Sequence, residues 1–145
     1  MDLSEVIDAL SQNGKSKGVK YLSGDMFDPS TFPKPLDVIY MKHILHDWSD
    51  EDCIEILKSC YEASGDNVTI ILNEIVVPSA KEIIENGEDI HNATFTVDMV
   101  MLLIKGKEKT REQWKALTDA SGFVITEIKT PAPGQRPSFI TLKKK

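Results

Sequence analysis

Two almost unbroken apolar runs, Leu36 to Met41 and Val68 to Val77, stand on either side of a segment in which Cys53, Ile56, Leu57, Cys60 and Tyr61 recur at threes and fours. Each run has the length of a strand and lacks the polar alternation of a half-exposed one. Both therefore read as strands of a parallel sheet covered on its two faces. The intervening segment reads as a helix with a buried stripe. Ser49 supplies its N-cap, and Asp50, Glu51 and Asp52 fill the first turn, where the helix dipole favours negative charge. Strand, helix and strand in this order argue for an α/β domain.

The rest of the chain extends that pattern. Leu3, Val6, Ile7 and Leu10 have helical spacing, with a stop at Asn13-Gly14. Val19 to Ser23 reads as a strand with Gly24-Asp25 as its exit turn, and Asp28-Pro29-Ser30 with Pro33 and Pro35 reads as a loop. Ile90 to Ile104 is a mostly apolar helical stretch ended by Gly106. Thr110-Arg111-Glu112-Gln113 has the form of a capping box and opens a helix through Ala120, with Ser121-Gly122 as its C-cap. Two strands, Phe123 to Thr130 and Ser138 to Leu142, follow, joined by the hairpin-like return Pro131-Ala132-Pro133-Gly134. The expected sheet is mainly parallel, with an antiparallel C-terminal edge.

A chain of 145 residues that is 41% apolar is long enough to bury one core. Its net charge of −6 gives no electrostatic footprint for a phosphate backbone, so nucleic acid is not an expected partner. The tail Lys143-Lys144-Lys145 reads as a solvated, frayed terminus. Val97 to Ile104, the longest strongly apolar run, falls far short of the roughly 20 residues that cross a bilayer. The first residues show no export signal, so the chain reads as cytoplasmic, and Asn67-Val68-Thr69 and Asn92-Ala93-Thr94 read as unused glycosylation patterns. Cys53 and Cys60 stand about 10.5 Å apart along a helix, too far for a disulfide, and read as reduced core thiols.

Ligands of open α/β sheets bind beyond the carboxyl ends of the strands. Three clusters fall there: Gly24-Asp25-Met26, Lys42 to Asp47, and Asn73-Glu74. Asp25 after Gly24 is also an ordinary turn residue. Glu74 interrupts an apolar run, and a carboxylate buried there needs a partner or a function. His43 and His46, with Asp47 and Asp50, form a weak metal pattern, since a helical metal pair is normally spaced four apart. On composition and spacing, His46 stays open between catalytic base, metal ligand and structural loop histidine.

The stretch "MKHILHDWSDEDC" closely resembles the H-D-W-x-D signature of the S-adenosylmethionine-dependent O-methyltransferases of the plant caffeic-acid and animal hydroxyindole type. Further motifs agree in order. Gly24-Asp25-Met26-Phe27 resembles the family's G-D-M-F turn, Asn73-Glu74 with Pro78 its strand-end glutamate, and Gly106-Lys107-Glu108-Lys109-Thr110 its G-K-E-R-T. Trp114, Leu117 and Ser121-Gly122-Phe123 match its last helix and exit. The resemblance implies that His46 is the general base taking the proton of a small, aromatic hydroxyl acceptor, flanked by Glu74 and Glu108, with no metal required. It implies S-adenosyl-L-methionine as cofactor. Asp25 and Met26 would meet its adenine end, Lys42 its methionine or ribose side, and Asp2, in a stretch similar to the family's D-L-P, its ribose hydroxyls. Asp47 and Trp48 would pack the loop that presents His46. Met99 and Met101, on the long apolar helix, would line the acceptor pocket or fill the core.

Members of that family are much longer, with an N-terminal helical dimerisation domain and a glycine-rich D-x-G-x-G-x-G turn after their first strand; neither is found in these 145 residues. Lys109 stands for Arg and Ser4 for Pro. Residues 1–145 are therefore expected to be the C-terminal part of a Rossmann-like catalytic domain whose first strands are missing. The gap would expose the edge of Leu36 to Met41, inviting a homo-oligomer or a chain that supplies the missing strands. Two functions fit best: the catalytic half of an O-methyltransferase, or an inactive truncated homologue acting as partner or regulator of an intact one; a third, a nucleotide- or metal-binding Rossmann-like protein, has only the fold to support it.

Overall fold

The structure, a computed structural model, describes residues 1–12, 18–79, 81, 84, 106–130 and 137–145. Asn13-Gly14, the helical stretch Ile90 to Ile104 with Met99 and Met101, and the return Pro131 to Gly134 lie outside these residues.

A short amphipathic helix, α1 (Ser4–Gln12), opens the chain. Strand β1 (Val38–Lys42) leads into helix α2 (Asp50–Ala63) and then strand β2 (Thr69–Glu74), the strand–helix–strand unit expected from the sequence. Ser49 caps α2, its Oγ accepting from the Asp52 N–H at 3.1 Å. Cys53, Ile56, Leu57 and Cys60 are buried along one stripe of α2. A capping box opens α3 (Arg111–Ala120): Thr110 Oγ1 accepts from the Gln113 N–H, and Gln113 Oε1 from the Thr110 N–H. Gly122 ends α3 at φ +85°, where a side chain is strained, and a Cβ there would meet the Tyr61 ring at 3.1 Å.

Strands β5 (Phe123–Lys129) and β6 (Ser138–Lys144) complete a four-stranded sheet of order β1-β2-β6-β5. β1 runs parallel to β2, from Val38 beside Thr69 to Lys42 beside Asn73, whereas β6 is antiparallel to both β2 and β5. The fold is thus α/β with the expected antiparallel C-terminal edge. Central β2 is sealed, with Ile70, Leu72, Asn73 and Glu74 buried. Around it pack Leu45, Ile56, Leu57, Trp114, Phe123, Ile140 and Leu142, the heart of the core. No helix among the described residues is long and apolar enough to cross a membrane.

Four expectations need correction. Val19 to Ser23 does not form a strand; Ser23 makes one parallel bridge to Asp2, because no further strand among the described residues lies alongside to continue a ladder. β1 is an edge strand and is not covered on both faces, leaving Val38 53% and Tyr40 54% exposed. The run Val68 to Val77 divides at Ile75. β1 and β6 pair with β2 only as far as Asn73 and Glu74, so Val76–Val77 (β3) turns away to pair in parallel with Lys109–Thr110 (β4). The C-terminal lysines are held in place: Lys143 bonds Thr69 Oγ1 at 2.5 Å, Lys144 lies over the Tyr61 ring, and Lys145 donates to the Asp119 carbonyl.

Candidate active site

The site is built where β1 and β2 end. His43 leaves β1 at φ +51°, a left-handed turn that is uncommon for a side-chain-bearing residue, and its N–H donates to the Asn73 carbonyl at 3.1 Å. The chain then winds through a 3₁₀ turn, Leu45–Asp47, which carries His46. Glu74, the last residue of β2, fixes this turn: its Oε1 accepts from the N–H groups of both Ile44 and Leu45 at 2.9 Å. Glu74 is fully buried, and its second oxygen, Oε2, has no hydrogen-bond partner among the described residues. Burial pushes its carboxyl above the usual carboxylate range, although the two amides and the His46 imidazole pull it back.

His46 is buried, and its Nδ1 lies 3.0 Å from Glu108 Oε1, across 62 residues of sequence. An ionised carboxylate only accepts, so this contact places the proton on Nδ1 and leaves the Nε2 lone pair available. Nε2 lies 3.4 Å from Asp47 Oδ1, and the ring of His43 stands 5.2 Å from that of His46. Burial, followed by the charges of His46 and Lys42, holds His43 below the ordinary histidine range. The structure thus puts Glu108 on the imidazole and Glu74 on the backbone that carries it. Trp48 packs edge-on against Phe27, with ring centroids 5.0 Å apart.

Sequence reasoning overlooked what holds this loop from the other side. The Lys107 N–H donates to the His46 carbonyl at 2.9 Å, and a Cβ on Gly106 would lie 2.1 Å from that oxygen. Gly106, read as a helix stop, is needed for this close crossing. Lys107 pairs with Asp50 at 2.5 Å. Lys109, read as a minor substitution, is buried, donates to the Leu45 carbonyl at 3.0 Å and lies over the Trp114 ring. Cys53 Sγ also donates to the Leu45 carbonyl, at 3.0 Å.

The residues expected at the cofactor gather nearby. Met26 and Lys42 line one apolar groove of about 440 Å³, together with Met1, Leu36, Ile44 and the exposed side of β1. The Asp2 main chain bonds those of Leu22 and Gly24, which brings Asp2 beside the Asp25 turn. The Asp2 and Asp25 carboxylates cap the N–H groups of Leu3 and Phe27.

Residues 1–124 match the family model described as the O-methyltransferase domain. The chain belongs to that family. This O-methyltransferase-family chain is 42% identical to bergaptol O-methyltransferase of Kitagawia praeruptora, a match covering 73% of the chain and 28% of that protein. It is 41% identical to indole glucosinolate O-methyltransferase 1 of Arabidopsis thaliana, over 79% of the chain and 30% of that protein. Caffeic acid 3-O-methyltransferase of Rosa chinensis is 40% identical over 84% of the chain and 31% of its own length. The chain therefore spans about a third of the length of these relatives. Among solved structures, LaPhzM superposes with a TM-score of 0.79 at 26% identity, over 99% of this chain and 41% of that one. LepI in complex with SAM superposes at 0.83 with 18% identity, over 99% of this chain and 35% of that one, a likeness of fold.

Proposed function

We propose that the chain supplies the general base of an S-adenosylmethionine-dependent O-methyltransferase that acts on the hydroxyl of a small aromatic molecule. The observation that carries this reading is the buried contact of His46 Nδ1 with Glu108. A phenol with a pKa near 10 is a weak nucleophile at neutral pH, and its oxyanion is a strong one. His46 takes the hydroxyl proton at Nε2 while Glu108 keeps the ring in the required tautomer and offsets the positive charge that develops. Glu74 and Lys109 position the base by anchoring Ile44 and Leu45. The names of the relatives support an acceptor of this size, and a neighbour solved with SAM on the same fold supports the cofactor.

The residues present fit one end of that cofactor: an apolar groove with a cation at the carboxyl end of β1, lined also by Met1 and Met26, the chain neighbours of Asp2 and Asp25. Met26 and Asp25 would hold the adenine, Asp2 the ribose hydroxyls, and Lys42 the methionine or ribose side. When bound, S-adenosylmethionine supplies an electrophilic methyl group. The edge of β1, unpaired among the described residues, takes an extended, apolar segment from outside the chain, of the kind the greater length of the relatives provides, or a second copy of this chain. Cytoplasmic chemistry suits the two free, buried thiols.

The test is methyl transfer by the chain when complemented with the N-terminal portion of a caffeic-acid relative. His46→Gln keeps the side-chain size but loses proton abstraction, so kcat should fall by about 10²- to 10⁴-fold with little change in cofactor affinity. A His46→Gln protein as active as its parent overturns the reading. If the complemented parent is itself inactive, the chain is instead a non-catalytic homologue.

A further inference from the structure

The loop that presents His46 also assembles a set of ligands that the methyl-transfer reading leaves unused. One nitrogen from each of His43 and His46 and one carboxylate oxygen of Glu74 all lie within 4.8 Å of one another. Both histidines belong to the pattern seen in the sequence, but its carboxylates differ. Asp47 and Asp50 are not in the set, and Glu74 enters from the neighbouring strand. Three features make this more than proximity. The left-handed turn at His43 reverses the chain just beyond β1, so two histidines three apart bring their rings to 5.2 Å. His46 is held at Nδ1 by Glu108, an outer carboxylate that orients the ring, which leaves Nε2, 3.4 Å from Asp47 Oδ1, to face an ion. Glu74 is fully buried, and with Oε1 committed to two amides, Oε2 finds no partner among the described residues. Such an oxygen is costly to leave unsatisfied, and a cation satisfies it.

We propose that His43, His46 and Glu74 form a binding site for a divalent transition ion of the zinc class, completed by water. Two imidazoles and a carboxylate are a ligand set that zinc accepts at about 2.0–2.2 Å, which places tetrahedral ligands about 3.4 Å apart. Side-chain torsion of half-buried His43 closes the remaining distance. On the reading of His46 as the base, the ion is an inhibitor: it occupies the Nε2 lone pair that proton abstraction requires, and its loss restores that lone pair. This consequence rests on the proposed function, whereas ion binding itself does not.

Binding is measured on the chain alone, by calorimetry with Zn²⁺ and by NMR of the histidine rings with paramagnetic Co²⁺. One ion per chain is expected, with the His43 and His46 resonances broadened. His43→Ala and Glu74→Gln should each weaken Zn²⁺ binding by at least the ~10- to 100-fold that loss of an outer contact costs at metal sites. Glu74→Gln retains an oxygen for the Ile44 and Leu45 amides, and circular dichroism verifies that each variant is folded. Absence of Zn²⁺ binding, affinity unchanged in both variants, or broadening that spares His43 and His46 overturns the site. Because Co²⁺ broadening is read on the parent chain, a variant that unfolds does not protect the proposal. Should the ion bind while the complemented enzyme keeps full activity under saturating Zn²⁺, the site stands and the role of His46 as base falls.

Discussion

Of the two buried carboxylates around His46, Glu108 meets the ring and Glu74 accepts from the N–H groups of Ile44 and Leu45, the two residues before it. Their neutral variants should therefore differ. In the complemented enzyme, Glu74→Gln should fall between the parent and His46→Gln, since Gln keeps an acceptor for both amides and loses only charge. On composition and spacing the histidine stayed open between base, metal ligand and structural residue; its expected role and its partner both came through resemblance, since nothing local joins residues 62 apart in sequence. Lys109 was invisible for a different reason: a lone lysine in a polar stretch reads as solvated, and only the fold reveals the Leu45 carbonyl and Trp114 ring that receive it. The thiols behaved as read. Burial pushes Cys53 up to about 11 and Cys60 up to about 12. A folded-state pKa above the unfolded value favours folding below the unfolded value and loses that contribution as pH rises through the folded one. At pH 8 the thiolate fractions are then about 10⁻³ and 10⁻⁴, so alkylation should be slow in the native chain and fast in urea. Rapid native labelling would show that the α2 stripe opens readily.

The helices were more legible than the strands. α2 and α3 declare themselves through Ser49 and the Thr110–Gln113 box, features satisfied within a few residues of each other. A strand depends on its neighbours. Val19 to Ser23 has strand composition but meets only Asp2, and Val76–Val77 leaves the main sheet because the adjoining strands stop. The loops hid one strict requirement, at Gly106. Adding a methyl there drives it into the His46 carbonyl, a backbone atom that cannot rotate away. Gly106→Ala should cost about 1–3 kcal/mol, the usual range for overpacking, read as a lower urea midpoint. Unchanged stability would mean that the segment from Gly106 to Lys109 can withdraw from the His46 turn without loss.

At the scale of the molecule, the chain spans about a third of its relatives' length and presents β1 as an open, half-apolar edge beside a groove of about 440 Å³. On the proposed reading, the described residues meet one end of the cofactor. Calorimetric titration with S-adenosylmethionine should accordingly show weak or no binding, and sedimentation velocity should show association that grows with concentration. A micromolar constant, about −8 kcal/mol, together with a monomer at every concentration would mean that the groove is complete as it stands. The crossing of Gly106 to Lys109 over the His46 turn has a consequence in time. Strand β1, its loop and β2 lie within residues 38–74, so a chain emerging from the ribosome can pair them early, when the histidine is still without its carboxylate. The contacts that orient the ring and seal its loop close spans of more than 60 residues, and such closures form after the local ones. On the proposed reading, His46 becomes a poised base only once the segment from Gly106 to Lys109 has arrived to hold it.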